Sequence, residues 1–237
     1  MNHSQARNTL PAPNPALVAQ HPHRHDRAAA YLKELLLDGT LKPGDMVSTE
    51  GVAQALGISR APTTDAVKRL ASEGFLVVIP QVGCRVPVPR TEDVGDFYEL
   101  FARSEGLVTR LAAERRSPEQ AAVFAHLTAS LDAEITRLGE PSGSNAAQRR
   151  INRVRHAAIH RLAGSTITAD IVAGLWDRSD FYLQAAFGAF PDLRVVRAGQ
   201  RAINDAIVAG DAPLAENLTA RALRQIGRQA AAALEAR

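Results

Sequence analysis

The groups best suited to chemistry sit in Ser59-Arg60-Ala61-Pro62-Thr63-Thr64-Asp65. Arginine presents a fork of donors, so Arg60 can take a guanine edge or clamp a phosphate. Ser59 and Thr63 can bond to either, and Lys68, one turn further along, suits a phosphate. Gly83 and Arg85, in PQVGCRV, can approach a nucleic-acid backbone or minor groove. An isolated arginine is by default a solvated surface residue, so the weight falls on the elements that position these groups. Other constellations are missing from the chain: no P-loop, no G-x-S-x-G elbow, no zinc-type cysteine cluster and no pair of Glu-x-x-His motifs. His21, His23 and His25 alternate in a polar stretch with nothing to fix their geometry, and read as a solvated tail. The expectation is no catalytic residue, no metal and no cofactor.

The positioning elements follow from periodicity and punctuation. Residues 1–25 hold four prolines and read as a flexible arm. A helix is predicted over Arg27–Leu37, capped by Asp26, with Tyr31, Leu32, Leu35 and Leu36 as its apolar stripe. LKPGD is a turn. Ser48 or Thr49 caps a short helix ending at Gly57, and Ser59 caps a third that stops near Gly74. FLVVI and CRVPV then form a hairpin, with Gly83 and Arg85 at its tip. Three helices and a hairpin make a winged helix-turn-helix over 26–88, which enters a major groove with the start of its third helix. In that helix Val67 and Leu70, with Phe75 after it, read as core, and Asp65 as a helix-dipole partner. After a linker at 89–91, residues 92–237 show only helical patterns. Helices are expected over 92–115, 118–138, 145–163, 167–187, 191–209 and 212–235, an antiparallel bundle of six to seven helices. The breaks fall at Ser117-Pro118, Gly139–Gly143, Gly164-Ser165, near Pro191 and at Gly210-Asp211. The fold class is mainly α.

Composition narrows the function classes. The 237 residues are 46% hydrophobic and 22% charged, which excludes wholesale disorder and a disulfide scaffold. The single cysteine, Cys84, cannot form an internal disulfide and points to a reducing, cytoplasmic compartment. No transmembrane run or secretory leader is expected. Aromatic residues are 5% of the chain, too few for base stacking to be its main trade. The net charge is only +3, and all of that surplus lies before residue 91. Recognition must therefore lean on a few placed contacts.

The stretch Leu37–Val86 resembles the DNA-binding domain of the GntR family of bacterial transcription regulators. The shared features are the G-x-L-x-P-G turn at Gly39–Gly44, LGISRAP, A-V-x-x-L, E-G-F-L and a wing glycine before Val86. The family's S-R-x-P-V-R-E-A-L stands here as Ser59 to Val67. The resemblance gives Arg60 a DNA-contact role, while Thr64 replaces the family's second arginine and inherits only the position. Roughly residues 92–234 resemble the family's FCD effector domain, on Asn152-Arg-Val-Arg-His156-Ala-Ala-Ile159 and on Ala206-Ile207-x-x-Gly210-Asp211. That resemblance implies a metal held by an aspartate and three histidines. Their positions fall at Asn152, His156, Gln200 and approximately Ala222, so only His156 survives and no functional metal is expected. An effector-binding arginine of the family falls at Phe101. Arg103 lies on another helix face, and Glu105 reads as structural.

Two readings of this domain stand side by side. In one, a metal-free pocket persists, with Asn152, His156 and Gln200 as hydrogen-bonding groups and Phe101 as an apolar wall, for an effector less acidic than the family's carboxylates. In the other, the cavity is filled and the domain only dimerises. His156 is either a satisfied buried histidine or a ligand contact. Arg149, Arg150, Arg153 and Arg155 form a charge run whose default is a solvated face, from which one arginine could reach inward. The resemblance implies a homodimeric regulator, a repressor, with operator DNA and a small-molecule effector as partners. A metal-dependent enzyme or a ligand-free architectural DNA binder is the alternative.

Overall fold

The computed structural model describes residues 10–138, 145–189 and 193–236. The chain divides into two compact units between Val88 and Pro89. The first contains α1 (Pro15–Gln20), α2 (Arg24–Leu37), β1 (Met46–Val47), α3 (Thr49–Leu56), α4 (Arg60–Ser72), β2 (Val77–Ile79) and β3 (Gly83–Arg85). The α2 stripe of Tyr31, Leu32, Leu35 and Leu36 is buried, and α2 packs on α4, whose Ala66, Val67 and Leu70 are buried with it. The Ser48 hydroxyl accepts from the Gly51 amide at 3.0 Å, which starts α3. Gly57 ends α3 at φ 63°, a left-handed conformation that glycine adopts without a Cβ penalty.

Three expectations for this unit are corrected. The sheet has three strands in the order β1-β3-β2, all antiparallel. The two-residue β1 is too short for an alternating pattern to show, and its partner β3 lies far along the chain. Helix α2 begins at Arg24, so Asp26 falls inside its first turn rather than at the cap, and pairs with Arg69 at 3.0 Å. The arm is not featureless over its described part. Asn14 Oδ1 accepts from the Ala16 amide to start α1, and the Tyr31 hydroxyl donates to the Pro11 carbonyl. Residues 1–9 lie outside the described residues.

The second unit contains α5 (Thr91–Arg115), α6 (Pro118–Leu138), α7 (Asn145–Ala163), α8 (Thr166–Phe187), α9 (Leu193–Ala209) and α10 (Ala212–Glu235). The predicted breaks at Gly139–Gly143 and Pro191 lie outside the described residues, apart from the helix ends that flank them. Helices α5 and α10 lie against each other along much of their lengths. Their approach depends on Gly227: a Cβ there would stand 2.4 Å from the Tyr98 Cβ. Between α6 and α7, Leu131, Ile135 and Ile151 form an apolar cluster.

One arginine of the α7 run, Arg155, reaches inward, while Arg150 and Arg153 stay exposed. Arg155 is 1% exposed, and its guanidinium donates to Asp132 at 2.9 Å. Asp132 also accepts from Arg201 at 2.7 Å. Arg153 pairs with Asp180 at 2.7 Å and with Asp177, and Arg150 pairs with Glu134. Burying a guanidinium requires a carboxylate partner, and α6 and α8 supply it from either side.

Candidate functional site

Helix α4 separates its two faces cleanly. Thr63, Ala66, Val67 and Leu70 follow helical spacing and are buried. Arg60, Thr64 and Lys68, four apart, share the exposed face. The Arg60 side chain is 68% exposed and pairs with Glu50 of α3 at 2.6 Å. The Thr64 hydroxyl donates to the Arg60 carbonyl at 3.1 Å. Ser59 is exposed at the start of α4, and its side chain makes no capping bond.

Two expectations are corrected: the side of α4 on which Thr63 lies and the tip position of Arg85. Thr63 is 0% exposed, three residues from Arg60 and on the core side, so it does not face a groove. Arg85 is not at the hairpin tip. The tip is 80–82, Gly83 follows it opposite Ile79, and Arg85 stands opposite Val77 and Met46 on the central strand. Both Gly83 and Arg85 are exposed.

The second unit holds a partly open cavity of about 550 Å³ between α7, α8, α9 and α10, with Thr109 of α5 also in its wall. Asn152, His156, Gln200 and Ala222, scattered over three helices, all border it. Ile159, Leu183, Ile203, Leu223 and Ile226 make most of its wall apolar. Phe101 does not border it. It is fully buried behind Trp176, ring centroids 4.8 Å apart, because α5 turns it into a cluster with Phe97 and Tyr98. The aromatic wall is Trp176 instead, 3.6 Å from the His156 ring centroid.

Glu105 organises this wall from behind. It is 0% exposed, with His156 Nδ1 at 2.9 Å and His160 Nε2 at 2.9 Å from its carboxylate. Burial pushes its pKa up, but the two imidazole hydrogen bonds outweigh burial and hold it at about 2. Burial pushes the His156 pKa down, and the Glu105 hydrogen bond only partly offsets it. The Glu105–His156 pair is thus an ionised carboxylate accepting an N–H bond from a neutral imidazole. The Nδ1 proton of His156 is committed to Glu105, which leaves Nε2 as a lone pair. That atom is buried and has no hydrogen-bond partner.

Residues 24–86 match the family described as "Bacterial regulatory proteins, gntR family", and residues 96–225 match the FCD domain. The chain is a GntR-family transcription regulator with an FCD domain. It is 27% identical over 147 residues to the HTH-type transcriptional regulator McbR of Escherichia coli, covering 62% of this chain and 64% of McbR. It is 34% identical over 83 residues to the Nta operon transcriptional regulator of Aminobacter aminovorans, covering 35% of this chain and 40% of that protein. The chain thus spans less than two thirds of the length of either relative in these matches. The solved structure of E. coli McbR/YncC superposes with a TM-score of 0.70 at 24% identity, over 90% of this chain and 98% of that one. This likeness shows the fold. Among the described residues, no helix is long and apolar enough to cross a membrane.

The FCD metal does not fit these residues. Of the four positions bordering the cavity, His156 alone is a metal-ligand type; Asn152 and Gln200 offer carboxamides and Ala222 nothing. Among the described residues, no group of three His, Cys, Asp or Glu side chains is arranged to hold a metal ion. Several other cavity-lining residues of this GntR protein escaped the sequence reading: Trp176, Ser179 and Asp180 on α8, and Thr219 on α10. The signal available was a polar cluster inside an otherwise apolar helix. His156 and His160, four apart, were a second signal, pointing to one shared partner.

Proposed function

We propose that this GntR regulator is a cytoplasmic homodimer, a repressor, that reads a near-palindromic operator with two α4 helices and responds to a small molecule held in its FCD cavity. The observation that carries the DNA-binding part is the exposed row of Arg60, Thr64 and Lys68, which runs along α4 from its first residue, directly after the Gly57 turn. The N-terminal end of such a helix is the part that enters a major groove. The exposed Arg60–Glu50 pair is worth about 0–1 kcal/mol, so a guanine edge can displace Glu50. Ser59 supplies a free hydroxyl beside it, and Gly83 lets the wing approach a DNA backbone. Two-fold symmetry of a homodimer imposes half-sites on the operator.

The open cavity supports a sensing domain over a filled bundle that only dimerises. A bound molecule changes DNA affinity only through different affinity for two arrangements of the regulator. Nothing in the site calls for catalysis, and the reading assigns none. Gel shifts with the DNA flanking its own gene test this function. Sequence-specific retardation at moderate salt is expected. Its absence with folded dimer present overturns the reading.

A further inference from the structure

Resting on the sensing reading, we propose that the cavity takes an uncharged, largely apolar molecule whose hydroxyl or N–H donates to His156 Nε2, and that it discriminates against free carboxylates. The first support is the direction of the hydrogen bonds. Ionised Glu105 can only accept, so the proton between it and His156 stays on Nδ1 and the opposite ring nitrogen is an acceptor. His156 borders the cavity and is 7% exposed, and Nε2 is without a partner. A buried acceptor of this kind favours a ligand that brings a donor. Trp176 Nε1–H, also buried without a partner, offers a donor to an acceptor on the same ligand. A hydroxyl carries both functions.

The second support is charge. Among the described residues lining the cavity, Asp180 is the one formally charged side chain and none is a lysine or arginine. Arg153 sits against Asp180 at 2.7 Å, its guanidinium already spent on that carboxylate and on Asp177. Burial pushes the Asp180 pKa up against the pull of Arg153 and Arg149. Among the described lining residues, an incoming carboxylate would meet the His156 lone pair and the Asp180 carboxylate with no lining cation to receive it. Burying an unpaired charge among Ile159, Leu183 and Ile203 is strongly unfavourable. The volume, about 550 Å³, lies within the range of small-molecule sites.

The chain has one tryptophan, Trp176, so its emission reports on this cavity directly. The probes are adamantylmethanol and adamantane carboxylate, which share one apolar body, do not absorb with tryptophan and differ in the polar group. The full-length protein is titrated with each. The expected result is saturable change with the alcohol and about tenfold or weaker binding of the carboxylate. His156→Leu is expected to cut alcohol binding, and Asp180→Asn to narrow the gap. The wild-type ratio stands whether or not either variant folds. Equal or tighter binding of the carboxylate overturns this ligand class and leaves the sensing reading intact. No saturable change with either probe, joined to no thermal shift across small acids, sugars and aromatics, overturns both.

Discussion

Glu105→Gln isolates what the buried carboxylate does for the effector domain. The substitution keeps the shape, removes the charge and mimics the protonated acid. Held at about 2 against an ordinary carboxylate value near 4.5, ionised Glu105 contributes about 3 kcal/mol to folding near neutral pH. The sign follows from a depressed carboxylate: its stabilisation is complete above about pH 4.5 and is lost as the pH falls toward about 2. His156 acts earlier and in the same direction. Its depressed pKa means the unfolded chain takes up a proton below about pH 6.5 that the folded chain resists. The wild type therefore loses stability in two stages on acidification, and the Gln variant lacks the carboxylate stage. Urea unfolding followed by Trp176 emission reads this unit alone. The expected difference is about 3 kcal/mol near neutral pH and about 1 kcal/mol smaller at about pH 4. A difference below about 1 kcal/mol at neutrality, or one of equal size at both pH values, would refute the charge-assisted account.

Other substitutions probe separate parts of the fold. Gly227→Ala should destabilise the second unit by about 1–3 kcal/mol, because the added methyl collides with Tyr98 at its Cβ; thermal unfolding checks it. Thr63→Val should leave stability unchanged or raise it by up to about 1 kcal/mol, since the buried hydroxyl has no partner to lose; chemical denaturation reads this. Arg155→Met should cost about 3 kcal/mol by leaving Asp132 with Arg201 alone, again by denaturation. Ser48→Ala removes the α3 cap and should cost about 1 kcal/mol in the first unit.

What could be read in the sequence was what local chemistry decides. Ser117-Pro118, Gly164 and Gly210-Asp211 are breaks that need no distant partner, and the helices of the second unit begin and end within a residue or two of the expected positions. Ser48 and Gly57 bound α3 for the same reason. The errors fall where a residue's role is set by something far along the chain. Met46–Val47 becomes a strand only because Gly83–Arg85 lies beside it. Thr63 stood in a string of polar residues, and only the packing of α4 on α2 shows that it faces inward. Arg155 looked like its three neighbours until Asp132 of α6 came opposite it. In the cavity, Asn152, His156 and Gln200 were found through family positions, whereas Trp176 and Asp180 required the helices to be assembled. The family's arginine position, here Phe101, misled because losing the arginine also removed any reason to face the ligand.

The central claim is that α4 reads DNA through Arg60 on its exposed face. The most direct measurement is the ratio of specific to nonspecific affinity on an operator fragment for the wild type, Arg60→Ala and Thr63→Val, at one fixed salt concentration. Arg60→Ala should lower that ratio by about tenfold or more, as loss of a bidentate base contact requires, while Thr63→Val leaves it unchanged. An unchanged ratio for Arg60→Ala, or a loss with Thr63→Val, would contradict the account.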